Sequence, residues 1–472
     1  MDSSEAADFI GALWEGEILP LLADYIAIPC KSPAFDPEWE RHGHMEMAVN
    51  LLVGWAREKL KSLPGATLEV VRLAGRTPLI VIEVPGRTSG TILMYGHLDK
   101  QPEMKGWDEG TGPWIPLLKD EKLYGRGGAD DGYALFAALS ALLALRHQGQ
   151  DHARAVILIE ASEESGSPDL PAYVEHLSPR IGTPDLVVCL DSGCGNYDQL
   201  WLTTSLRGNL IGELTVRVLT EGVHSGMASG IVPSSFRIAR QLLSRIEDEA
   251  SGAMKLDALF SQIPPERLEQ ARAAAQILGK EIAGSMPFAG GTKAMANSNV
   301  ELILNRTWRP QLAITGMEGY PAPENGGNVL LPYSTLKLSL RLPPTCDGEK
   351  ATAAMKKALE ENPPYNAQVT FDGPPADNGW NAPPLAPWLS QALDKASNAA
   401  FGKAAAFIGE GGSIPFMAML GAKFPKTQFV VTGVLGPHSN AHGPNEFLHI
   451  PMAKKISVCI ASILADHALE KI

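Results

Sequence analysis

Short, nearly continuous apolar runs alternate with a longer amphipathic segment in the first half of the chain. Runs of this kind, edged by Gly and Pro, are typical of strands that are buried on both faces of a sheet. They predict strands at Leu79–Val84, Thr91–Tyr95, Ala155–Ile159 and Leu186–Leu190. Between them, Asp131–His147 carries Leu and Ala over a broad face and is predicted to be a helix. The alternation predicts an α/β fold in which helices cover a mixed, mostly parallel sheet.

A different pattern begins near Gly208, where apolar and polar residues alternate as in a half-buried strand. If the predicted helix Pro264–Ile282 is an insertion, the order of elements is β-α-β-β-α-β, the ferredoxin-like arrangement. The predicted strands are Leu210–Leu219, Val300–Leu304, Thr335–Leu342 and Gln368–Phe371, and the other predicted helices are Ser234–Glu249 and Asp347–Glu361.

The pattern returns to buried strands and helices after a linker rich in Pro and Gly at Gly373–Pro387. A strand is predicted at Gln428–Val434 and a last helix at Pro451–Leu469. We therefore predict one α/β domain made of residues 1–207 and 384–472. It is interrupted by a smaller, ferredoxin-like α+β domain at residues 208–383.

Composition and charge narrow the classes of protein to which the chain can belong. Its 472 residues are 45% hydrophobic and 20% charged, which is ordinary for a folded chain and excludes disorder as the main state. The net charge of -13 opposes contact with phosphate backbones, so we expect no nucleic-acid partner. No apolar run reaches the roughly 18 residues that span a bilayer, so we expect no membrane partner.

The cysteines and the first residues bear on the cellular compartment. The N-terminal segment has acidic residues where a secretory signal peptide has a basic patch. The five cysteines are few, odd in number and without CxxC spacing, which favours reduced thiols over a disulfide framework. These features predict a cytoplasmic protein in which the cysteines are small buried side chains.

Acidic and imidazole side chains follow the ends of several predicted strands. They are His97 and Asp99, the paired Asp130 and Asp131, the paired Glu163 and Glu164, Asp191, and His442. In open α/β sheets this edge is where ligands bind. Adjacent carboxylates repel one another unless a cation or a proton relieves the repulsion. Imidazole with carboxylate, without thiolate spacing, suits Zn²⁺, Mn²⁺ or Co²⁺.

Seven motifs in a fixed order give the chain a family resemblance. The chain resembles the aminoacylase and carnosine-dipeptidase family of metallopeptidases, which use two co-catalytic metal ions. The inserted domain resembles the lid and dimerisation domain of that family. The motifs are MYGHLDKQP (Met94–Pro102), GRGGADD (Gly125–Asp131), EASEESGS (Glu160–Ser167), CLDSG (Cys189–Gly193), HSG (His224–Gly226), EGGSIP (Glu410–Pro415) and HGPNE (His442–Glu446).

The resemblance implies a complete set of metal ligands. His97, Asp130 and Asp191 would bind one ion, and Asp130, Glu164 and His442 would bind the other, with Asp130 bridging. Asp99 would accept the second N–H of His97 and fix its tautomer. Two positions leave alternatives open: Asp131 is a rival to its neighbour Asp130, and His438 is a rival to His442. The expected cofactor is two divalent ions per chain, with zinc first and manganese or cobalt as alternatives.

The resemblance also implies catalytic and substrate-binding roles. Glu163 would be the general base, and His224 would come from the lid, across a homodimer, to stabilise the oxyanion. Arg341 would bind the substrate carboxylate. In the EGGSIP motif, Gly411, Gly412 and Ser413 would let the backbone approach the substrate closely, since glycine permits such an approach.

The implied reaction is metal-dependent hydrolysis of the peptide bond of dipeptides or other small peptides, as in a dipeptidase or a carboxypeptidase. The nearest alternative is an amidohydrolase that deacylates N-acyl amino acids, since both share the metal centre. The chain has Gly132-Tyr133 where the family often has Lys-Gly, which bears on substrate preference. A binding protein without activity would be expected to have lost Glu163 or a metal ligand, and none is lost here.

Overall fold

The largest sheet has six strands and agrees with the predicted mixed, mostly parallel sheet. A computed structural model describes residues 1–470 of the chain. The last four strands of the sheet run parallel to one another, while the first two pair antiparallel. In spatial order the strands are Thr67–Val71, Leu79–Val84, Ala153–Glu160, Thr88–His97, Leu186–Cys189 and Gln428–Val431.

The two faces of this sheet contact two separate apolar cores because side chains alternate along each strand. In Thr88–His97, Ile92 and Met94 enter one core, while Leu93 and Tyr95 enter the other. The helix Ala134–His147 is buried along most of its length, since its own Ala and Leu residues occupy every side of it. The segment Gly128–His147 is long and apolar enough to cross a membrane, but its most apolar stretch is buried inside the protein.

A four-stranded antiparallel sheet follows in the chain, with its own apolar core. In spatial order its strands are Gln311–Glu318, Tyr333–Leu342, Gly208–Arg217 and Gln368–Asp372. The helices Ser235–Ile246 and Gly348–Glu360 pack against it. Without the intervening segment, the elements follow one another as β-α-β-β-α-β, the order that the sequence predicts.

One predicted strand of this sheet is wrong. Val300–Leu304 lies in the helix Asn299–Thr307, and the strand that joins the sheet is Gln311–Glu318. A short apolar run has no periodicity that distinguishes a strand from one side of a helix. Gln311–Glu318 is an edge strand whose residues are exposed or half-buried, so it lacks the apolar alternation that would predict it.

The fold also contains a three-stranded sheet near the EGGSIP motif. Its strands are, in spatial order, Trp380–Asn381, Trp201–Leu206 and Ala406–Glu410. The helices Pro265–Leu278 and Asn299–Thr307 pack against Ala406–Glu410, and their apolar residues join the main core. The intervening segment of the four-stranded unit therefore contacts the part of the chain that leads into the EGGSIP motif.

The remaining strands and helices are shorter or lie outside these sheets. Leu117–Lys119, Lys122–Tyr124 and Phe447–His449 form a second three-stranded sheet, and Val223–His224 pairs with Val329–Leu330. The remaining α-helices are Ser3–Leu13, Leu19–Ile26, Trp39–His42, His44–Leu60, Leu170–His176, Ser178–Ile181, Ser225–Ala228, Glu281–Gly284, Pro387–Phe401, Pro415–Lys423 and Ile450–Glu470.

Candidate metal centre

The fold brings the predicted ligands to one edge of the six-stranded sheet. His97 ends its strand, and Asp191 lies just beyond the end of the neighbouring strand. Glu164 lies in the 3-10 turn Glu163–Ser165, directly after the strand Ala153–Glu160. Asp130 lies in the turn that precedes the helix Ala134–His147. Because these strands are parallel, their carboxyl ends meet at the same edge.

Two groups of three potential ligand atoms lie at this edge, and they share Asp130. One group is His97, Asp130 and Asp191, and the other is Asp130, Glu164 and His442. Within each group the ligand atoms lie within 4.8 Å of one another. The two oxygens of Asp130 face different histidines: Oδ1 is 3.4 Å from His97 Nε2, and Oδ2 is 3.0 Å from His442 Nε2. The carboxylate is thus placed to bridge two ions.

The chemistry of these side chains fits divalent cations. In the part of the chain that the structure describes, His97 Nε2 and Glu164 Oε1 are buried and have no hydrogen-bond partner. Buried polar atoms are normally hydrogen-bonded, so such atoms at the centre of a cluster of ligand atoms point to a cation. The donors are imidazole nitrogens and carboxylate oxygens, a set that suits Zn²⁺, Mn²⁺ or Co²⁺.

Electrostatics at the site show an excess of buried negative charge. Burial raises the pKa of Asp191, and burial together with the charge of Asp130 raises the pKa of Glu164 to about 8. Burial would lower the pKa of His442, but Asp130 and Glu164 outweigh it and raise the pKa to about 9. The metal-free site therefore retains protons at neutral pH that a bound cation would displace.

Asp99 contacts both His97 and the turn that carries the paired glutamates. Its side chain is fully buried, and His97 Nδ1 lies 3.1 Å from its backbone carbonyl oxygen and 3.4 Å from its carboxylate. The carboxylate also accepts hydrogen bonds from the backbone amides of Glu163, at 3.1 Å, and Glu164, at 3.0 Å. One residue thus orients both an imidazole ligand and the turn that carries the paired glutamates.

The adjacent Glu163 and Glu164 have different surroundings. Glu164 belongs to the second ligand group, whereas Glu163 lines a cleft of about 730 Å³ together with Asp130 and Asp191. Burial, and then the charge of Asp191, raises the pKa of Glu163 well above its usual range. A carboxylate with a raised pKa beside a metal centre, and outside the ligand groups, suits a general base.

The alternative ligands Asp131 and His438 belong to neither of the two groups. Asp131 Oδ2 accepts a hydrogen bond from the backbone amide of His97 at 3.2 Å, so it supports the strand end. His438 lines the cleft but lies outside the two ligand groups. The geometry favours Asp130 and His442 as the ligands.

Two predicted residues lie apart from the metal centre within this chain. His224 is exposed at the end of the short strand Val223–His224, and it is outside the ligand groups and the set of described residues that line the cleft. Arg341 is half-buried on the strand Tyr333–Leu342, opposite Asn209. Its charge lies near Asp377 and near Arg207.

The EGGSIP segment forms part of the cleft. Gly412 and Ser413 line it, while the carbonyl of Gly411 accepts a hydrogen bond from Arg207 Nε at 3.0 Å. Arg306 also lines the cleft. The sequence analysis missed both arginines, because Arg207 lies at a predicted domain boundary and Arg306 lies just after the wrongly predicted strand. Their positions become visible only when the helix Asn299–Thr307 packs against Ala406–Glu410.

The sequence matches a known family of peptidases. A family model described as peptidase family M20/M25/M40 matches residues 93–466. The cysteinylglycine-S-conjugate dipeptidase of Corynebacterium striatum is 25% identical over 415 residues, which cover 85% of this chain and 87% of that protein.

Two solved structures have the same fold. Human carnosine dipeptidase 1 has a TM-score of 0.77 at 22% identity, with 99% of each chain covered. An M20 family metallo-carboxypeptidase from Sulfolobus solfataricus has a TM-score of 0.78 at 20% identity, with 96% of this chain and 99% of that chain covered. Since the family model spans most of the sequence, the chain belongs to peptidase family M20/M25/M40.

Proposed function

We propose that the protein is a dipeptidase that hydrolyses the peptide bond of dipeptides with the help of two divalent metal ions. The observation that carries this proposal is the pair of ligand groups sharing Asp130, with Glu163 beside them in the cleft. The names of the Corynebacterium relative and of human carnosine dipeptidase 1 support dipeptides as the substrate class. Zinc is the metal that we propose first, because tetrahedral sites of imidazole and carboxylate suit it.

The proposed mechanism divides the work between the ligands and the base. When bound, the metal pair would lower the pKa of a water molecule and polarise the scissile carbonyl. Glu163 accepts the proton of the attacking water and then delivers it to the leaving amine. The raised pKa of Glu163 suits the first step, because a more basic carboxylate accepts the proton of water more readily. Asp99 keeps the turn of Glu163 in place through its amide hydrogen bond.

Substrate binding is proposed for Arg341 and for the segment Gly411–Ser413, of which Gly412 and Ser413 line the cleft. Arg341 offers a planar guanidinium that fits the C-terminal carboxylate that every dipeptide carries. Gly411, Gly412 and Ser413 provide a segment of backbone that a peptide can approach. The half-burial of Arg341 and the cleft position of Gly412 and Ser413 support these roles.

A pair of matched variants tests the proposal. Glu163→Gln should retain both metal ions and lose about 10²–10⁴-fold in kcat, since a general base contributes that much. Glu164→Gln should instead lose about one metal ion per chain, because it removes a ligand of the second group. Metal content by elemental analysis and kcat with a neutral dipeptide are the two readouts. Equal metal loss in both variants, or faster turnover of N-acetyl amino acids than of dipeptides by the wild type, would overturn the assignment.

A homodimer with composite active sites is proposed for the exposed His224. Its neighbours Met227 and Ile231 are 78% and 82% exposed, which is unusual for large apolar side chains and supports contact with a second subunit. In such a dimer His224 would donate a hydrogen bond to the oxyanion in the partner's site, where a preorganised donor contributes roughly 3 kcal/mol.

Mixing two inactive variants tests this arrangement. His224→Ala and Glu163→Gln subunits together should recover up to about a quarter of the wild-type activity, because random pairing makes about half of the dimers mixed and each of these has one intact site. Subunits that exchange freely without any recovery would show that His224 does not act across an interface.

The domain boundaries and the cellular location also remain proposals. We propose that residues 208–383 form the lid and dimerisation domain between the two parts of the α/β domain, 1–207 and 384–472. The separate apolar core of the four-stranded sheet supports this division, whereas the helices Pro265–Leu278 and Asn299–Thr307 in the same range pack into the main core. We propose a cytoplasmic location because all five cysteines are free and buried, as expected for thiols in a reducing compartment.

A further inference from the structure

One arginine side chain in the cleft has no role in the mechanism above. Arg306, on the helix Asn299–Thr307, lines the same cleft as Glu163 and Asp191. Arg306 is an exposed residue, and among residues 1–470 its side chain has neither a salt bridge nor a hydrogen-bond partner. The carbonyl oxygen and Cγ of Arg306 approach Gly411 closely, since a Cβ atom at Gly411 would lie 3.2 Å from each. The residue is therefore held against the EGGSIP segment while its charge remains available.

Arg207 lies close to both Arg306 and Arg341. Burial and then the charges of Arg341 and Arg306 lower the pKa of Arg207 to about 10, so each of these two guanidinium groups repels that of Arg207. Arg207 is committed to structure, because it donates to the carbonyls of Gly411, at 3.0 Å, and Asn305, at 3.4 Å. Its backbone amide also donates to Gly412 at 3.1 Å. Arg207 thus ties the EGGSIP segment to the helix that carries Arg306.

Three acidic groups lie near these arginines: Glu410 and Glu281, which line the cleft, and Asp377. Glu410 offsets part of the charge at Arg207, and Asp377 offsets part of the charge at Arg341. None of these carboxylates lies within ion-pair distance of one of these arginines in the described part of the chain. A single guanidinium is enough to hold one carboxylate with two parallel hydrogen bonds. With Arg341 assigned to the C-terminal carboxylate, Arg306 is left for a second anionic group.

We propose that Arg306 is a specificity-determining residue that binds the side-chain carboxylate of the substrate's C-terminal residue, so that dipeptides ending in Glu or Asp are preferred. The inference rests on the proposed dipeptidase function, because it takes this cleft as the peptide site. The C-terminal residue is the one concerned because Arg341, which is assigned to its main-chain carboxylate, pairs with Asn209 beside Arg207, and both Arg207 and Arg306 lie against Gly411. A cleft of about 730 Å³ has room for a dipeptide with a long side chain.

The test compares Ala-Glu with Ala-Gln, two dipeptides of nearly the same shape that differ by one negative charge. Binding is measured by calorimetry on the metal-loaded Glu163→Gln protein, in which turnover is slow, and kcat/KM is measured on the metal-loaded enzyme. A hydrogen-bonded charge pair predicts about a ten- to hundredfold preference for Ala-Glu in both measurements. Adding Arg306→Gln should reduce this preference to within about threefold.

Arg309 provides a matched control two residues beyond the same helix. Its guanidinium donates to Glu301 at 2.6 Å and to Asn305 at 2.8 Å, and it is not among the described residues that line the cleft. Arg309→Gln removes the same charge from nearly the same place and should retain the full preference for Ala-Glu. High salt should weaken the preference of the wild type, because a charge pair at an accessible site is screened.

The outcomes separate the subsite from the peptidase function. The inference is overturned if the wild type binds Ala-Glu and Ala-Gln equally, or if Arg306→Gln weakens both by the same factor, which would assign Arg306 to a group that all dipeptides share. It is also overturned if Arg309→Gln removes the preference as completely as Arg306→Gln. A binding preference that depends on Arg306, found without hydrolysis of any dipeptide, would support the subsite and count against the dipeptidase function.

Discussion

A buried ion pair connects two loops of the metal centre, and its removal should have a large effect. Arg126 and Glu446 are 1% and 0% exposed, and their side chains form a hydrogen-bonded salt bridge. Arg126 also donates to the carbonyl of Gly443 at 2.9 Å, directly after the ligand His442. Glu446 accepts a hydrogen bond from the amide of Gly127 at 2.8 Å, in the loop that leads to Asp130.

Breaking this pair should destabilise the protein by about 3–5 kcal/mol, because the remaining charge is buried without a partner. We expect this loss for Arg126→Met, which leaves the Glu446 carboxylate, and for Glu446→Gln, which leaves the guanidinium. The double variant buries no charge, so its loss should be smaller than the sum of the two by about 0.5–3 kcal/mol. All three variants should also bind metal less tightly, since Arg126 holds the backbone next to His442.

Urea unfolding of the chelated proteins, followed by tryptophan fluorescence, measures these free energies without a contribution from metal binding. The exposed pair Arg41 and Glu38 is a matched control, with side chains 71% and 58% exposed. Arg41→Met should change stability by less than about 1 kcal/mol. The reasoning fails if Arg126→Met unfolds at the wild-type urea concentration, or if the two single losses add to within about 0.3 kcal/mol in the double variant.

Three further predictions follow from the same site. Asp99→Asn should weaken metal affinity about 10–100-fold, since it disturbs the support of an imidazole ligand; a metal titration that shows wild-type affinity would contradict this role. Gly433→Ala should lower the melting temperature sharply, because the new Cβ would lie 1.8 Å from the carbonyl oxygen of Ser192, whereas an unchanged value would mean that the backbone relaxes freely. Metal binding at pH 7 should release protons and strengthen towards pH 9. The pKa values of Glu164 and His442 are raised to about 8 and about 9, and both side chains must lose a proton to bind. Calorimetry in buffers of different ionisation enthalpy measures this release, and metal binding without it would contradict the prediction.

The local sequence was enough to predict the sheet and the edge of the sheet at which acidic and imidazole side chains gather. Continuous apolar runs indicate buried strands directly, and the structure has strands at all four predicted in the first half. The acidic and imidazole residues follow these runs, and parallel strands place their carboxyl ends at one edge. The grouping of these residues around Asp130 was implied by the family resemblance of the motifs, and the two ligand groups of the structure agree with it.

Other features depend on residues that are distant in the chain. Sequence alone does not show that Glu163 lines the cleft while Glu164 joins a ligand group, because the two are chemically alike and adjacent. The pairing of Arg126 with Glu446 joins positions 320 residues apart. The sequence predicts a strand at Val300–Leu304, within the helix Asn299–Thr307, because its apolar residues also fit a strand over a few positions.

Packing between distant segments also decided the position of Arg306. Arg306 reaches the cleft only because Ile303 and Leu304, on the same helix, are buried in the main core. Hydrophobic periodicity reports how much of an element is buried, but it does not report which other element covers it. The sequence by itself determined that acidic and imidazole side chains gather at the sheet edge, whereas packing between distant segments determined which charges face the cleft.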